Sequence, residues 1–125
     1  MPARSPEDCD RLFAKHANAG DLDALVALYE HEATFVTRDR RIVKGQAAIR
    51  DELAGLLAMN PRMRMKVTEV VPAGGDLAVL YNDWSMRADG PDGERIDATG
   101  RAFELVRCQT DGTWLFVVDE PFARA

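Results

Sequence analysis

Basic residues are in short supply. The chain sets 16 Lys and Arg against 21 Asp and Glu, a net charge of −5, and its cations are scattered rather than gathered into a stripe. Phosphate binding needs a basic face, so nucleic acid is excluded as a partner. Long apolar runs are also missing: none approaches the ~20 residues of a membrane-spanning helix. The opening "MPARSPEDCDRLF" holds no apolar stretch that would serve as a secretion signal. A cytoplasmic protein with no membrane partner is the expectation. Cysteine is scarce too. Cys9 and Cys108 make no disulfide framework and read as two ordinary reduced thiols. No CxxC, HExxH, GxGxxG or Walker-type loop occurs, and no repeat. Neither a metal nor a cofactor is expected.

What is present fits one domain spanning residues 1–125. The length allows a real core, and the chain is 46% hydrophobic and 30% charged, ordinary for a globular protein. Ser5, Pro6, Glu7 and Asp8 read as a helix start, with a capping hydroxyl, a first-turn proline and two acids at the positive end of the helix dipole. Cys9, Leu12, Phe13, His16 and Ala17 then recur at helical spacing, and Gly20 ends the helix. Asp21 caps a second helix with Leu22, Leu25, Val26 and Tyr29 on its apolar stripe, and His31 falls near its end. "ATFVT" (33–37) is a short strand by its β-branched and aromatic content. "RDRRIVKG" reads as a turn and a short strand. "GQAAIRDELAGLLAM" is a third helix with Ile49, Leu53, Leu56 and Leu57 inward. Strands follow at 63–72, 76–88, 95–107 and 113–120, joined by "PAGGD", "DGPDGE" and "TDG". Helices first and antiparallel strands after make an α+β pattern, with helices on one face of a sheet.

The order of these elements, with "AGDLDALVALYEHEATF", "KGQAAIRDEL" and "DGTWLFVVDEPF", resembles the nuclear-transport-factor-2-like superfamily, and within it the SnoaL-like and ketosteroid-isomerase-like proteins. The resemblance implies a curved, mostly antiparallel sheet forming a cone-shaped, cystatin-like α+β barrel with a cavity at its wide end. It implies no one activity, because the superfamily holds isomerases, dehydratases, epoxide hydrolases, cyclases and binding domains. The isomerase uses a carboxylate base, a tyrosine and a protonated aspartic acid. The simplest alignment puts Thr37, Phe13 and Arg101 at those positions. All three roles are lost, so true ketosteroid isomerase activity is rejected.

Strand parity gives a candidate site. On 77–87 the set Ala78, Leu80, Asn82, Trp84 and Met86 is the better inward face. On 97–107 it is Thr99, Arg101, Phe103 and Leu105. On 114–120 it is Trp114, Phe116, Val118 and Glu120. Four-residue loops "GPDG" and "QTDG" would pair Asp89 with Glu94 and Cys108 with Thr113. That builds a polar row, Asn82–Arg101–Glu120, across an apolar floor. Arg101, held by Glu120, would present its guanidinium to a carboxylate, carbonyl or enolate. Trp84, Thr99, Phe103, Tyr29, Phe13, Phe35 and Thr37 would complete the ligand pocket. The bland alternative is a solvated Arg–Glu pair of little consequence. His16 and Glu120 are the candidate bases, against the alternative of a hydrogen-bonded structural histidine. Asp119 is expected to point outward, near Glu104. Val79, Tyr81, Ala102, Val106, Leu115 and Val117 would form an outer apolar face, and a homodimer through it is expected, since relatives of this kind pair sheet to sheet.

Three functions compete. One is a domain binding a small, largely apolar ligand in the cone. Another is an enzyme doing acid–base chemistry, of isomerase, dehydratase or hydrolase type, on a carbonyl-containing molecule. The last is a non-catalytic homodimeric module.

Overall fold

A computed structural model describes residues 2–124. Helix α1 (Pro6–Ala19) begins after Ser5, whose hydroxyl makes no capping hydrogen bond, and ends at Gly20, whose left-handed φ of 69° closes it. Helix α2 is a single short turn, Leu22–Val26, capped by Asp21 through a 3.1 Å bond from the Ala24 N–H. The expected helical stripe through Tyr29 is therefore corrected: Tyr29 opens strand β1 (Tyr29–Val36). The "YEHEATFV" run holds β-branched and aromatic residues that fit a pleated surface better than a helix. His31 accordingly sits on that strand, exposed, and not at a helix end.

Strand β2 (Ile42–Lys44) turns back onto β1, and α3 (Gln46–Ala58) follows with Ile49 and Leu53 buried. Strands β3 (Arg62–Pro72), β4 (Leu77–Asp89), β5 (Arg95–Cys108) and β6 (Trp114–Arg124) form a long antiparallel meander. The six strands make one sheet in the order β2-β1-β6-β5-β4-β3, open at both edges. Only β1 against β6 is parallel. This is the expected α+β fold, helices packed on a curled, mostly antiparallel sheet.

The core lies between α1, α2 and α3 and the inner face of the sheet. Leu12, Phe13, Leu25, Tyr29, Leu53, Leu80, Val106 and Phe116 are buried there. Phe116 is its centre, with the Tyr29 ring at 5.0 Å and the Phe13 ring edge-on at 6.4 Å.

Two turns decide which side chains reach that core. Both hairpins use a three-residue turn ending in a left-handed glycine: Gly93 has φ 80° and Gly112 has φ 84°. In the first, Gly93 N–H bonds Gly90 O and Gly90 N–H bonds Glu94 O; in the second, Gly112 and Gln109 do the same. This is a type I turn with a glycine bulge. It pairs Asp89 with Arg95 and Cys108 with Trp114, one residue on from the four-residue loops expected. A one-residue slip moves every side chain of a strand to the other face. On β4 the inward set is as expected, but on β5 it is Ala102, Glu104 and Val106 that are buried. Ala102 and Val106 therefore leave the expected outer face. On β6 a register shift between the Leu105 and Val106 pairings adds a second reversal, so Phe116 and Asp119 both point inward.

Candidate functional site

The expected polar row does not exist. Arg101 is exposed on the outer face, opposite Asp83, with Nε 3.9 Å from its Oδ1. Glu120 also faces outward, opposite Phe103, and accepts a hydrogen bond from Arg40. Thr99 is exposed. Phe103 lies on the outer face against Tyr81, ring centroids 5.9 Å apart. Thr37 is buried but belongs to the turn after β1, where its Oγ1 accepts the Arg41 N–H at 2.9 Å. His16 is half-buried on α1 and lines no part of the cavity; loss of solvent pushes its pKa down. The structure does bring Phe13, Phe35 and Trp84 to one cavity, while Tyr29 and Asn82 sit behind it.

That cavity has a volume of about 380 Å³. Four methionines (Met59, Met63, Met65 and Met86) and four aromatic residues (Phe13, Phe35, Trp84 and Phe122) supply much of its lining. Trp84 lies flat because Gly100 is its partner across the strands: a Cβ there would come within 2.5 Å of the indole. The indole Nε1 donates to Pro121 O at 2.8 Å, and the Phe122 ring stands edge-on at 5.1 Å. Among the described lining residues only three are charged: Arg38, Glu52 and Asp119. Arg38 is exposed and Asp119 is 3% exposed, so they mark the rim and the floor.

Asp119 is the front member of a buried polar cluster. The Tyr29 hydroxyl donates to its Oδ2 at 2.5 Å. Glu104 is its direct neighbour across β5 and β6. Asp10, on α1, contacts Glu104 carboxyl to carboxyl and accepts Asn82 Nδ2 at 3.0 Å. Asp10, Asn82, Glu104 and Asp119 are all at most 3% exposed. Two ionised carboxylates offer only acceptors, so a hydrogen bond between Asp10 and Glu104 requires a proton on one of them. Asp10 Oδ1 and Glu104 Oε1 receive no hydrogen bond from any N–H or O–H of the described residues, as expected where that shared proton is the only donor. Glu104 carries it. Burial and the adjacent Asp10 charge raise the Glu104 pKa well above the ordinary range. Burial also raises that of Asp10, but its hydrogen bonds with Glu104 and Asn82 favour its charged form.

Burial lifts Asp119 to about 7; the Tyr29 hydrogen bond opposes that rise and the Asp10 charge adds to it. Burial, and then the charge of Asp119, push Tyr29 in turn well above the usual phenol range, so it stays a donor. Cys9 is pushed up by burial and lies inert beneath the cluster. The arrangement places a buried carboxyl, oriented by a phenol, on the floor of an apolar chamber. Among the described residues no group of three or more His, Cys, Asp or Glu is arranged to hold a metal ion, and no helix is long and apolar enough to cross a membrane.

Sequence reasoning turned Asp119 outward and missed Glu104, Asp10 and Arg38 as site residues. The signal lay in "PDG" and "TDG": an Asp-Gly closing a hairpin favours the three-residue turn with a left-handed glycine, and counting from it turns Glu104 inward.

A helix-covered, curled sheet enclosing an apolar chamber with few polar groups defines a small α+β domain of the cystatin-like kind. A profile of the SnoaL-like domain matches residues 10–120, and the chain belongs to that family. Solved structures agree in fold. A ketosteroid isomerase-like protein from Erwinia carotovora atroseptica is 17% identical, with TM-score 0.81, covering 91% of this chain and 89% of its own. An uncharacterised protein with a cystatin-like fold from Caulobacter vibrioides is 13% identical, with TM-score 0.79 and coverages of 93% and 84%. A conserved protein from Planctomyces limnophilus is 15% identical, with TM-score 0.79 and coverages of 93% and 91%. No curated protein matches the sequence.

Proposed function

We propose that the chain binds a small, largely apolar molecule in the cavity and moves a proton on it through Asp119. The observation that carries this reading is a carboxyl held at about 7 on the floor of an otherwise apolar chamber. A general base works best with a pKa near the working pH, and a neutral acid in the same place serves as a donor. The ionised form takes a proton from a carbon beside a carbonyl, and the protonated form returns it elsewhere. Tyr29 fixes the carboxyl through Oδ2, leaving Oδ1 as the atom for the substrate. This differs from ketosteroid isomerase chemistry as aligned through Thr37, which is committed to its own turn.

The test is exchange of α-protons of small cyclic and aromatic ketones in deuterated buffer, followed by proton NMR. Exchange above the buffer rate, rising as pH passes through about 7, is expected. A panel that exchanges no faster than in buffer, at pH 6 and at pH 8 alike, would sink the reading.

We also infer a homodimer. Val79, Tyr81, Phe103, Leu105 and Leu115 are only half-buried on the outer face of one chain. So broad an apolar surface favours a cover, and a second copy of the same face supplies one. Light scattering at micromolar concentration should give twice the chain mass, and Leu105→Glu should halve it; a monomeric wild type would rule this out.

A further inference from the structure

Three arginines sit in or beside the turn that follows β1, and their partners differ. Arg40 donates to Glu120. Arg41 lies 3.1 Å from Asp39 and 3.4 Å from Glu52. Among the described residues Arg38 has no carboxylate partner and is the only cation lining the cavity. Its guanidinium carbon is 5.1 Å from the centre of the Phe122 ring. Phe122 in turn rests edge-on against Trp84. The guanidinium is thus held at the rim by an aromatic face, which leaves its N–H groups unspent. Glu52, the other charge at the rim, is already engaged by Arg41.

We infer that the cavity takes an apolar molecule bearing one anionic group, a carboxylate, sulfonate or sulfate, seated on Arg38 at the rim with the apolar body inward. This rests on the reading of the cavity as a ligand site and adds the ligand's charge and direction. The direction follows from both ends. An anion driven to the floor would meet Asp119 with the buried charge of Asp10 behind it and would lose its water without gaining a cation. At the rim it meets a planar donor and keeps part of its hydration. The four methionines accept different ring shapes, because their thioether chains are flexible and polarisable. The ligand's far end, a carbonyl or hydroxyl, then falls toward Asp119.

Two fluorescent probes differ only in the charge at issue: 1-anilinonaphthalene-8-sulfonate and its neutral counterpart N-phenyl-1-naphthylamine. Titration of the full chain with each is expected to give roughly tenfold or tighter binding of the sulfonate, the range of a charged hydrogen bond. Arg38→Met should remove that preference and leave the neutral probe unchanged, whereas Arg40→Met should leave both unchanged. Equal binding of the two probes, or an equal loss of both in Arg38→Met, overturns the inference and leaves the ligand site standing. Failure of both probes to bind removes the ligand site and the inference with it. Ala98→Trp, which fills the cavity, should abolish binding of both. Sulfonate binding that survives it lies outside the cavity and overturns the assignment.

Discussion

The two faces of the β4–β5–β6 meander carry acids in opposite circumstances. On the outer face Asp97 and Asp83 lie among arginines: Asp97 is 3.1 Å from Arg95 and 3.9 Å from Arg87, and Asp83 is 3.9 Å from Arg101. Their side chains are more than half exposed. On the inner face Asp10, Glu104 and Asp119 are buried with no arginine among their hydrogen-bond partners, only Tyr29, Asn82 and one another. Water and counter-charge solvate the outer acids at little gain. Their absence inside turns carboxyls into groups that hold protons at neutral pH. The same residue type is thus a solvated ornament on one side of a strand and a chemical group on the other, and the side is set by the turn.

The largest effect should come from Asp119. Asp119→Asn keeps the shape and removes the exchangeable proton. Catalysed ketone exchange should fall by about 10²–10⁴-fold, the usual weight of a positioned acid–base group. Probe binding in the same variant should persist, which separates lost chemistry from a lost pocket. Exchange unchanged in Asp119→Asn would mean that inner and outer acids are equally idle.

Stability against pH should follow the inner acids. The folded pKa of Asp119 is about 7, above the ~3.9 of an unfolded Asp. Between these values the folded chain binds more protons than the unfolded one, so stability falls as pH rises. The contribution is fully present below pH ~4 and lost as pH passes through about 7, with a range of the order of 4 kcal/mol at most. Glu104, also raised, adds to the fall. Urea unfolding at a series of pH values should show this decline and a shallower one in Asp119→Asn. A profile that rises from pH 4 to pH 7 would contradict the protonated cluster.

The shared proton makes a finer prediction. If Asp10 and Glu104 carry one negative charge between them, Glu104→Gln mimics the protonated partner and leaves that charge in place. Carboxyl carbon NMR should then find Asp119 titrating within about half a pKa unit of wild type, a small change on the scale of the shifts such groups show. Removing the charge in Asp10→Asn with Glu104→Gln should lower it by about a unit or more. A drop in Glu104→Gln alone would mean that the pair held no proton. No drop in the double variant would mean that it held two.

Much of the fold was legible because its signals are local. The start and stop of α1 at Pro6 and Gly20, the periodicity through Leu12 and Phe13, and Ile49 with Leu53 each depend on a few neighbours. The inward set of β4 was legible too, since Leu80, Asn82 and Trp84 stand among the most apolar strand residues. The floor of the site was not. It depends on register, and register is carried across two turns and a β6 irregularity. Each is a one-residue event whose effect on facing is total. Glu104 and Asp119 look like surface acids in the sequence, and nothing near them says otherwise. Arg38 and Arg41 differ by three positions in one turn; the distinction between them comes from Phe122, far along the chain.

The smallest effect should come from the outer acids, and it completes the contrast. Asp97 touches both Arg95 and Arg87, so contact counting alone would rank it above Asp119, whose strongest partner is one phenol. Physical reasoning ranks them the other way. The Asp97 side chain is 63% exposed, its arginines are flexible and solvated, and salt screens what attraction remains. Asp97→Asn should therefore change unfolding free energy by no more than about 0.5 kcal/mol. Raising the salt from low to high concentration should shrink even that difference. A loss above about 2 kcal/mol would show that the outer ladder of Arg95, Asp97 and Arg87 is a cooperative network, and the division between a working and a solvated face would have to be redrawn.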